Sequence, residues 1–170
     1  MPQKLVDAVG EWLVEHPAPR WVVHNRLKDA ALKRRAGAYS LEDGEALLEA
    51  TLALDDVVLF TQTYCPFSKR LKRDLAALSI PFLEVAVDAR DDGNVLVAEL
   101  GRRFERYSIP HAVVRGRSVG GCNDGGPQGV HRGLRQCLED PAWIDNVILA
   151  DASPDFQARR AQLLARDASS

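Results

Sequence analysis

Three features of this 170-residue sequence together predict an α/β fold: a four-stranded mixed sheet flanked by helices. The first is a strand–helix–strand succession. The apolar run Val57-Val58-Leu59-Phe60 is followed by Leu71, Leu75 and Leu78 at helical spacing, then by the β-prone run Phe82 to Asp88. A connection of that length fits a right-handed parallel crossover. The second is a hairpin signature, in which His111-Ala112-Val113-Val114 and Ser118-Val119-Gly120 flank the tight turn Arg115-Gly116-Arg117. The third is the set of amphipathic segments between these strands, giving the order α-β-α-β-α-β-β-α from residue 40 onward.

Each element has a local reason. Met1 to Glu15 carries Leu5, Val9, Trp12 and Leu13 on one helical face, and His16-Pro17-Ala18-Pro19 ends that helix. Trp21-Val22-Val23 is short and β-prone. The basic stretch from Arg26 through Lys28, Lys33, Arg34 and Arg35 reads as a solvated helix face, with an anionic docking site as the alternative. Ser40 caps a helix over 40–54 with Asp43 three residues on, and Leu41, Leu48 and Leu52 form its apolar stripe. Ser79-Ile80-Pro81 breaks the second helix of this region. Asp91-Asp92-Gly93-Asn94 starts the next, with Val95, Leu96, Leu100 and Phe104 expected on its buried side. Arg102, Arg103 and Arg106 near its end suit the helix dipole. Gly120 to Gly126 is a loop requiring close backbone approach or positive φ. Asn123 and Asp124 are expected to cap the helix that runs to about Leu138. Asp140-Pro141 begins a tail with Trp143, Ile144, Val147 and Ile148. Ser153-Pro154 starts a last helix docked through Phe156, Leu163 and Leu164. The expected organisation is a mainly helical N-terminal extension over 1–40, a domain over 41–139 and a C-terminal extension over 140–170 with a docked helix.

Composition narrows the function classes. The chain is 46% hydrophobic and 27% charged, with a net charge of −2, which argues against nucleic acid as the main partner. No apolar run approaches the length of a membrane span. Three cysteines do not make a disulfide scaffold and suit a reducing compartment, where a thiol is catalytic or metal-binding. Asp7, Glu11 and Glu15 argue against a signal or transit peptide, so a cytoplasmic location is expected. His24 and His131 have no Cys/His partners at zinc-ligand spacing.

Cys65 carries the chemistry. It stands where the strand ends and a helix begins, with Pro66 suited to the helical first turn. Unsatisfied N–H groups and the partial positive charge of a helix N-terminus favour an anion, by about 0.3–1 kcal/mol for the dipole alone. The thiolate is the nucleophilic form of cysteine, so this turn predicts a reactive thiol. A buried inert cysteine is the alternative, and the polar neighbours Thr63, Gln62, Tyr64, Ser68 and Lys69 weigh against it.

Three separated pieces then agree. Thr63-Tyr64-Cys65-Pro66-Phe67-Ser68, Ser108-Ile109-Pro110 and Gly120-Gly121-Cys122-Asn123-Asp124 resemble the T-Y-C-P-Y-C site, the T-V-P segment and the G-G-[CS]-D-D loop of the glutaredoxins. The resemblance covers about residues 41–139 and implies a thioredoxin-like fold, with helical N- and C-terminal extensions added here. It implies a glutathione-dependent thiol–disulfide oxidoreductase with Cys65 as nucleophile. Pro110 is expected to be a cis-proline facing Cys65. The Ile109 backbone is expected to pair with the glutathione peptide backbone. Gly121, Cys122, Asn123 and Asp124 would hold the γ-glutamyl end, Arg106 the glycine carboxylate, and Tyr64 would line the groove. Gln62, Pro66, Phe67 and Ser68 are the immediate neighbours of the thiol.

Two departures shape the expected mechanism. Ser68 replaces the second motif cysteine, so no internal disulfide forms there and a second glutathione must resolve Cys65–S–SG. Ser68 either hydrogen-bonds the Cys65 sulfur or is a passive first-turn residue. Gln62 replaces the usual lysine and removes a charge that Lys69 or Arg106 would have to supply. Cys122 is either a second redox thiol or a bystander, while Cys137 reads as core.

Three functional readings follow. The first is an enzyme that reduces glutathione mixed disulfides, with glutathione as cosubstrate and glutathionylated or disulfide-containing proteins as partners. The second is a carrier of a [2Fe–2S] cluster bridged between two subunits by Cys65 and glutathione. Pro66 in place of the glycine of C-G-F-S weakens that reading, and no other metal site is expected. The third is a redox-sensing binding module whose extensions carry the partner surface. A monomer is expected, with a glutathione- or cluster-bridged dimer as the alternative.

Overall fold

The computed structural model of the chain describes residues 36–124 and 133–169. The expectations for the N-terminal helix, Trp12, Trp21, the basic stretch from Arg26 to Arg35, and His131 lie outside the described residues. Within them the order is α1 (Leu41–Leu52), β1 (Val57–Thr61), α2 (Pro66–Ala77), β2 (Leu83–Ala86), α3 (Gly93–Phe104), β3 (His111–Val114), β4 (Arg117–Gly120), α4 (Leu134–Cys137), α5 (Pro141–Trp143) running on as a π-helix (Ile144–Leu149), and α6 (Pro154–Asp167).

β1 nucleates the sheet because its five side chains are all buried. A strand covered on both faces reads as a continuous apolar run rather than an alternating one. The spatial order is β2-β1-β3-β4. β2 runs parallel to β1, with Val58 opposite Leu83 and Phe60 opposite Val85. β3 runs antiparallel to β1, with Val57 opposite Val114 and Phe60 opposite His111. β4 closes the hairpin, with a register shift between Ala112 and Val113. The expected mixed four-stranded sheet is therefore present. β2 is shorter than the Phe82–Asp88 reading, because Val87–Ala89 turns into a short 3-10 helix.

Strand alternation divides the core into two layers. Val58 and Phe60 face α1 and α3 through Leu48, Leu52, Leu96 and Leu100. Val57 and Leu59 face α2 and the C-terminal segment through Leu71, Leu75, Ile148 and Phe156. Ser40 caps α1 as expected, its Oγ accepting the Asp43 N–H at 3.0 Å. Leu41 does not join the α1 stripe; it is 64% exposed, and Gly44, Leu48, Thr51 and Leu52 form the buried face instead. Arg102 and Arg103 act less as dipole partners of α3 than as links to α1, pairing with Glu45 and Glu49; Arg102 also donates to buried Glu99 at 2.7 Å.

The C-terminal segment is part of this packing. Phe156 is fully buried under the sheet, Leu163 is half-buried, and Leu164 is 47% exposed rather than docked. Polar contacts fix the same segment. Asp56 accepts the N–H and O–H of Ser153, Arg159 pairs with Asp55 at 2.7 Å, and Ser79 donates to Asp167 at 2.6 Å. Arg115 donates to the Val147 and Ile148 carbonyls at 2.6 and 3.0 Å, satisfying the end of the π-helix. Among the described residues no helix is long and apolar enough to cross a membrane. Removing a buried aromatic costs about 3–5 kcal/mol. Phe156→Ala is therefore expected to lower unfolding stability by that amount in denaturant titration, whereas Leu164→Ala should change it by less than about 0.5 kcal/mol.

Candidate active site

Cys65 is the N-cap of α2, with extended backbone angles and Pro66 directly after it. Its N–H donates to the Gln62 carbonyl at 3.1 Å, and its own carbonyl accepts the Lys69 N–H at 3.2 Å. These bonds fold the β1–α2 connection into one tight turn. Ser68 is fully buried beneath the turn, where its Oγ accepts the Gln62 N–H at 3.3 Å. Its hydroxyl thus buttresses the backbone of the active-site loop, a role the sequence did not suggest.

A second anchor was also invisible in the sequence. Asp88, just beyond β2, accepts the Thr63 N–H at 2.9 and 3.0 Å and the Thr63 hydroxyl at 2.5 Å. The hydroxyl bond holds the Asp88 carboxyl below its ordinary range. Thr63 and Asp88 meet only because β1 and β2 run side by side, so no local pattern announces them.

The Ile109–Pro110 bond is cis, as expected. The Cys65 thiol donates a long contact, 4.0 Å, to the Ile109 carbonyl. Sequence segments 44 residues apart therefore converge on the sulfur. Beside them opens a groove of about 290 Å³, lined by Phe67, Ser108, Ile109, Pro110, Cys122 and Asn123, with Arg106 and Asp124 at one end. Phe67, 49% exposed, is the aromatic that lines the groove. Tyr64 stands 70% exposed, outside that lining. Gln62 is half-buried, and the bonds that hold it in the turn run through its backbone.

Arg106 is 6% exposed and donates to Asp124 at 2.6 Å, while Asp124 itself remains 66% exposed. Charge-assisted bonds of this length are among the stronger ones, and the partial burial of Arg106 limits screening. The Arg106 Nε is buried with no hydrogen-bond partner among the described residues. Gly121 makes this pair possible. A Cβ there would lie 2.0 Å from the Arg106 guanidinium and 2.7 Å from the Asp124 carboxylate. Asp124 does not cap the following helix, contrary to the sequence expectation. The N-cap of α4 is Gly133, and the Leu134 and Arg135 N–H groups donate to the Gly121 and Cys122 carbonyls at 2.8 and 3.2 Å. Gly133 has φ +92°, and a Cβ there would meet the Asn123–Asp124 peptide at 2.5 Å. The loop's own carbonyls cap the helix, leaving its side chains for the groove.

Cys122 is among the residues lining the groove, yet it is 3% exposed and packs in the core cluster with Leu71 and Leu134. Burial pushes the Cys122 thiol up, with Asp74 adding to the effect. Cys137 is 8% exposed, in keeping with the core reading. Among the described residues no group of three or more His, Cys, Asp and Glu side chains is placed to hold a metal ion. His111 lies beneath the site, fully buried, with its Nε2 2.8 Å from the Ser118 Oγ and its ring edge-on to Phe104. Burial, reinforced by the Arg106 charge, lowers its pKa to about 3.

A cysteine at a strand-to-helix turn, 7% exposed despite its polar neighbours and in contact with the carbonyl before a cis-proline, defines a thioredoxin-like thiol site. Comparison with known proteins agrees. Residues 57–119 match the Glutaredoxin family model. The chain is 35% identical to rice glutaredoxin-C4, chloroplastic, over 82 residues, covering 48% of this chain and 60% of that protein. It is 30% identical to rice glutaredoxin-C6 over 79 residues, covering 46% of this chain and 70% of that one. The crystal structure of wheat glutaredoxin superposes with a TM-score of 0.57 at 21% identity, covering 66% of this chain and 96% of that one, a likeness of fold. The chain belongs to the glutaredoxin family.

Two predictions follow from the geometry under the loop. Gly121→Ala must displace the Arg106–Asp124 pair. It is expected to leave the protein folded by circular dichroism but to weaken binding of an anionic groove ligand at least about tenfold, the loss of roughly one charge-assisted hydrogen bond. His111 gives the second. Between pH 6.5 and 4.5 the unfolded chain takes up a proton at this position and the native chain does not, so native stability falls with falling pH. The limiting slope is about 1.4 kcal/mol per pH unit. Denaturant titrations across that window should show a slope steeper by up to one proton in wild type than in His111→Gln; equal slopes would refute the buried neutral imidazole.

Proposed function

We propose that the chain is a glutathione-dependent thiol–disulfide oxidoreductase that reduces glutathione mixed disulfides through Cys65 alone. One observation carries this reading: the Cys65 sulfur contacts the Ile109 carbonyl, and Ile109, cis-Pro110 and the Arg106–Asp124 pair line a single groove. Glutathione is an extended anionic peptide with an ammonium at one end. The groove offers a backbone edge at Ile109, a buried guanidinium at Arg106 and an exposed carboxylate at Asp124. These suit the peptide, a carboxylate and an ammonium respectively.

The chemistry then runs in two displacements. The Cys65 thiolate attacks the glutathione sulfur of a protein–S–SG disulfide. The Cys65–S–SG bond forms, the protein–S bond breaks, and the protein leaves as a thiolate that takes up a proton. A second glutathione thiolate attacks the glutathione sulfur of Cys65–S–SG. Oxidised glutathione leaves and the Cys65 thiolate is regenerated. The residue one turn on from Cys65 is Ser68, buried and engaged with the loop backbone, so no internal thiol stands there to resolve the intermediate. Cys122 keeps its thiol in the core, which supports a bystander role. The cycle needs a compartment where thiols persist, in keeping with the cytoplasmic expectation.

Glutathione-dependent reduction of a glutathionylated peptide tests the reading. Cys65→Ser is expected to abolish turnover, by more than about a thousandfold, as loss of a covalent nucleophile does. Cys122→Ser should retain turnover within about threefold. Equal losses in the two variants would give Cys122 a share in the redox step. No turnover in the wild type would reject the enzyme, and the colour and mass of protein purified anaerobically with iron and glutathione would then decide the cluster-bridged alternative.

A further inference from the structure

A second groove begins at Pro66, the residue after Cys65. It opens along the outer face of α2, about 550 Å³ in volume, lined by Pro66, Lys69, Lys72, Arg73 and Ala76. Pro66 borders this groove and Phe67 the first one, so the opening turn of α2 separates them with Cys65 directly before it. Three of the five lining residues are cations. Lys72 is paired with Glu84 at 2.8 Å and is about one-third exposed. Lys69 and Arg73 have no ion-pair partner among the described residues and are exposed, as is neighbouring Arg70. The nearby acid Asp74 lies toward Arg135 instead, at 3.9 Å. The whole chain carries a net charge of −2, so this cationic strip is a segregated feature and not a reflection of overall charge.

Length and charge identify an occupant. From Pro66 to Ala76 the helix rises about 15 Å. That is the span of about four to five residues of extended peptide. We infer that this groove docks an acidic peptide segment of a protein substrate, next to the cysteine on which Cys65 acts. The inference rests on the oxidoreductase reading above and adds the class of protein that reading serves. The first groove takes the common glutathionyl group and discriminates nothing among proteins; the second reads the charge of the polypeptide attached to it. A cleft lined by one sign of charge concentrates opposite charge and raises association rates about 10- to 1,000-fold, an effect that salt screens.

The test uses the full chain and two glutathionylated peptides identical except for four flanking residues, all Asp or Glu in one and all Lys in the other. The glutathione mixed disulfide of mercaptoethanol serves as a substrate without a flanking segment. The expected result is a kcat/KM at least about tenfold higher for the acidic peptide at low ionic strength, narrowing to within about threefold at 0.5 M salt. Arg73→Glu combined with Ala76→Glu should remove or reverse the preference, with kcat/KM for the small disulfide within about twofold of wild type. Arg73→Lys should keep it. A wild type that turns over the small disulfide yet treats both peptides alike overturns the inference. So does a preference that survives the double substitution, and so does a single-stranded oligonucleotide that competes as well as an acidic peptide of equal charge. Binding of a cysteine-free acidic peptide, followed by fluorescence anisotropy, reads the groove even if Cys65 turns nothing over. Its loss in the double variant supports the docking site, and no measurable binding in the wild type rejects it.

Discussion

Complete burial of β1 is the constraint on which the rest depends. With no exposed side chain from Val57 to Thr61, this strand must be covered on both faces and paired on both edges. The parallel neighbour β2 brings Asp88 to the end of β1, where it fastens Thr63. The antiparallel neighbour β3 brings Pro110 and His111 to the same end from the other edge. Cys65 emerges between these two neighbours, so its surroundings are set by strand pairing more than by the residues adjacent to it in sequence. Burying the four apolar side chains of β1, Val57 to Phe60, contributes on the order of 10 kcal/mol of transfer free energy, an upper estimate. Single polar contacts in the active-site loop contribute about 1 kcal/mol each. The loop is thus positioned by the core and trimmed by hydrogen bonds.

That division explains what was legible in the sequence. Strands β1 and β3 declared themselves because buried apolar runs need no partner to be recognised. The Pro66 start of α2 and the Ser40 and Ser153 caps each rest on a residue with a specific backbone preference, whereas the cis bond at Pro110 was expected from the family resemblance. Leu41 and Leu164 misled because helical spacing alone does not say how wide a face is covered; α1 and α6 each leave one leucine of the expected stripe in solvent. Asp124 misled for a related reason. An aspartate ahead of a helix satisfies an N-cap pattern, but buried Arg106 offers a stronger partner, and the Gly121 and Cys122 carbonyls already serve the helix. Thr63–Asp88 and Ser68–Gln62 could not be read at all, since each joins residues that only the folded chain brings together.

The same competition for partners bears on the departures from the family pattern. Arg106 sits under Gly121, its guanidinium committed to Asp124, and its charge helps keep His111 neutral. It therefore lines the groove as a cation already partnered by Asp124. No cation stands at Gln62, and Lys69, one turn beyond Cys65, pairs with no carboxylate among the described residues.

Ser68 ties these strands of argument together. In a site with a cysteine at that position, the second thiol must stay mobile enough to reach the first. Here the position is fully buried and its oxygen holds the Gln62 N–H, so the first turn of α2 acts as a fixed wall between two grooves. On the proposed cycle a fixed wall suits the chemistry, because the protein thiolate leaves and the second glutathione thiolate enters at the same glutathionyl sulfur, opposite a Cys65 that stays in place. Loss of the internal thiol shifts the burden of selectivity to the surfaces on either side. On the reading proposed above, the side with buried Arg106 takes the invariant small peptide. The side along α2, where Lys69 and Arg73 have no ion-pair partner among the described residues and Lys72 is held by Glu84, suits the acidic segment inferred above.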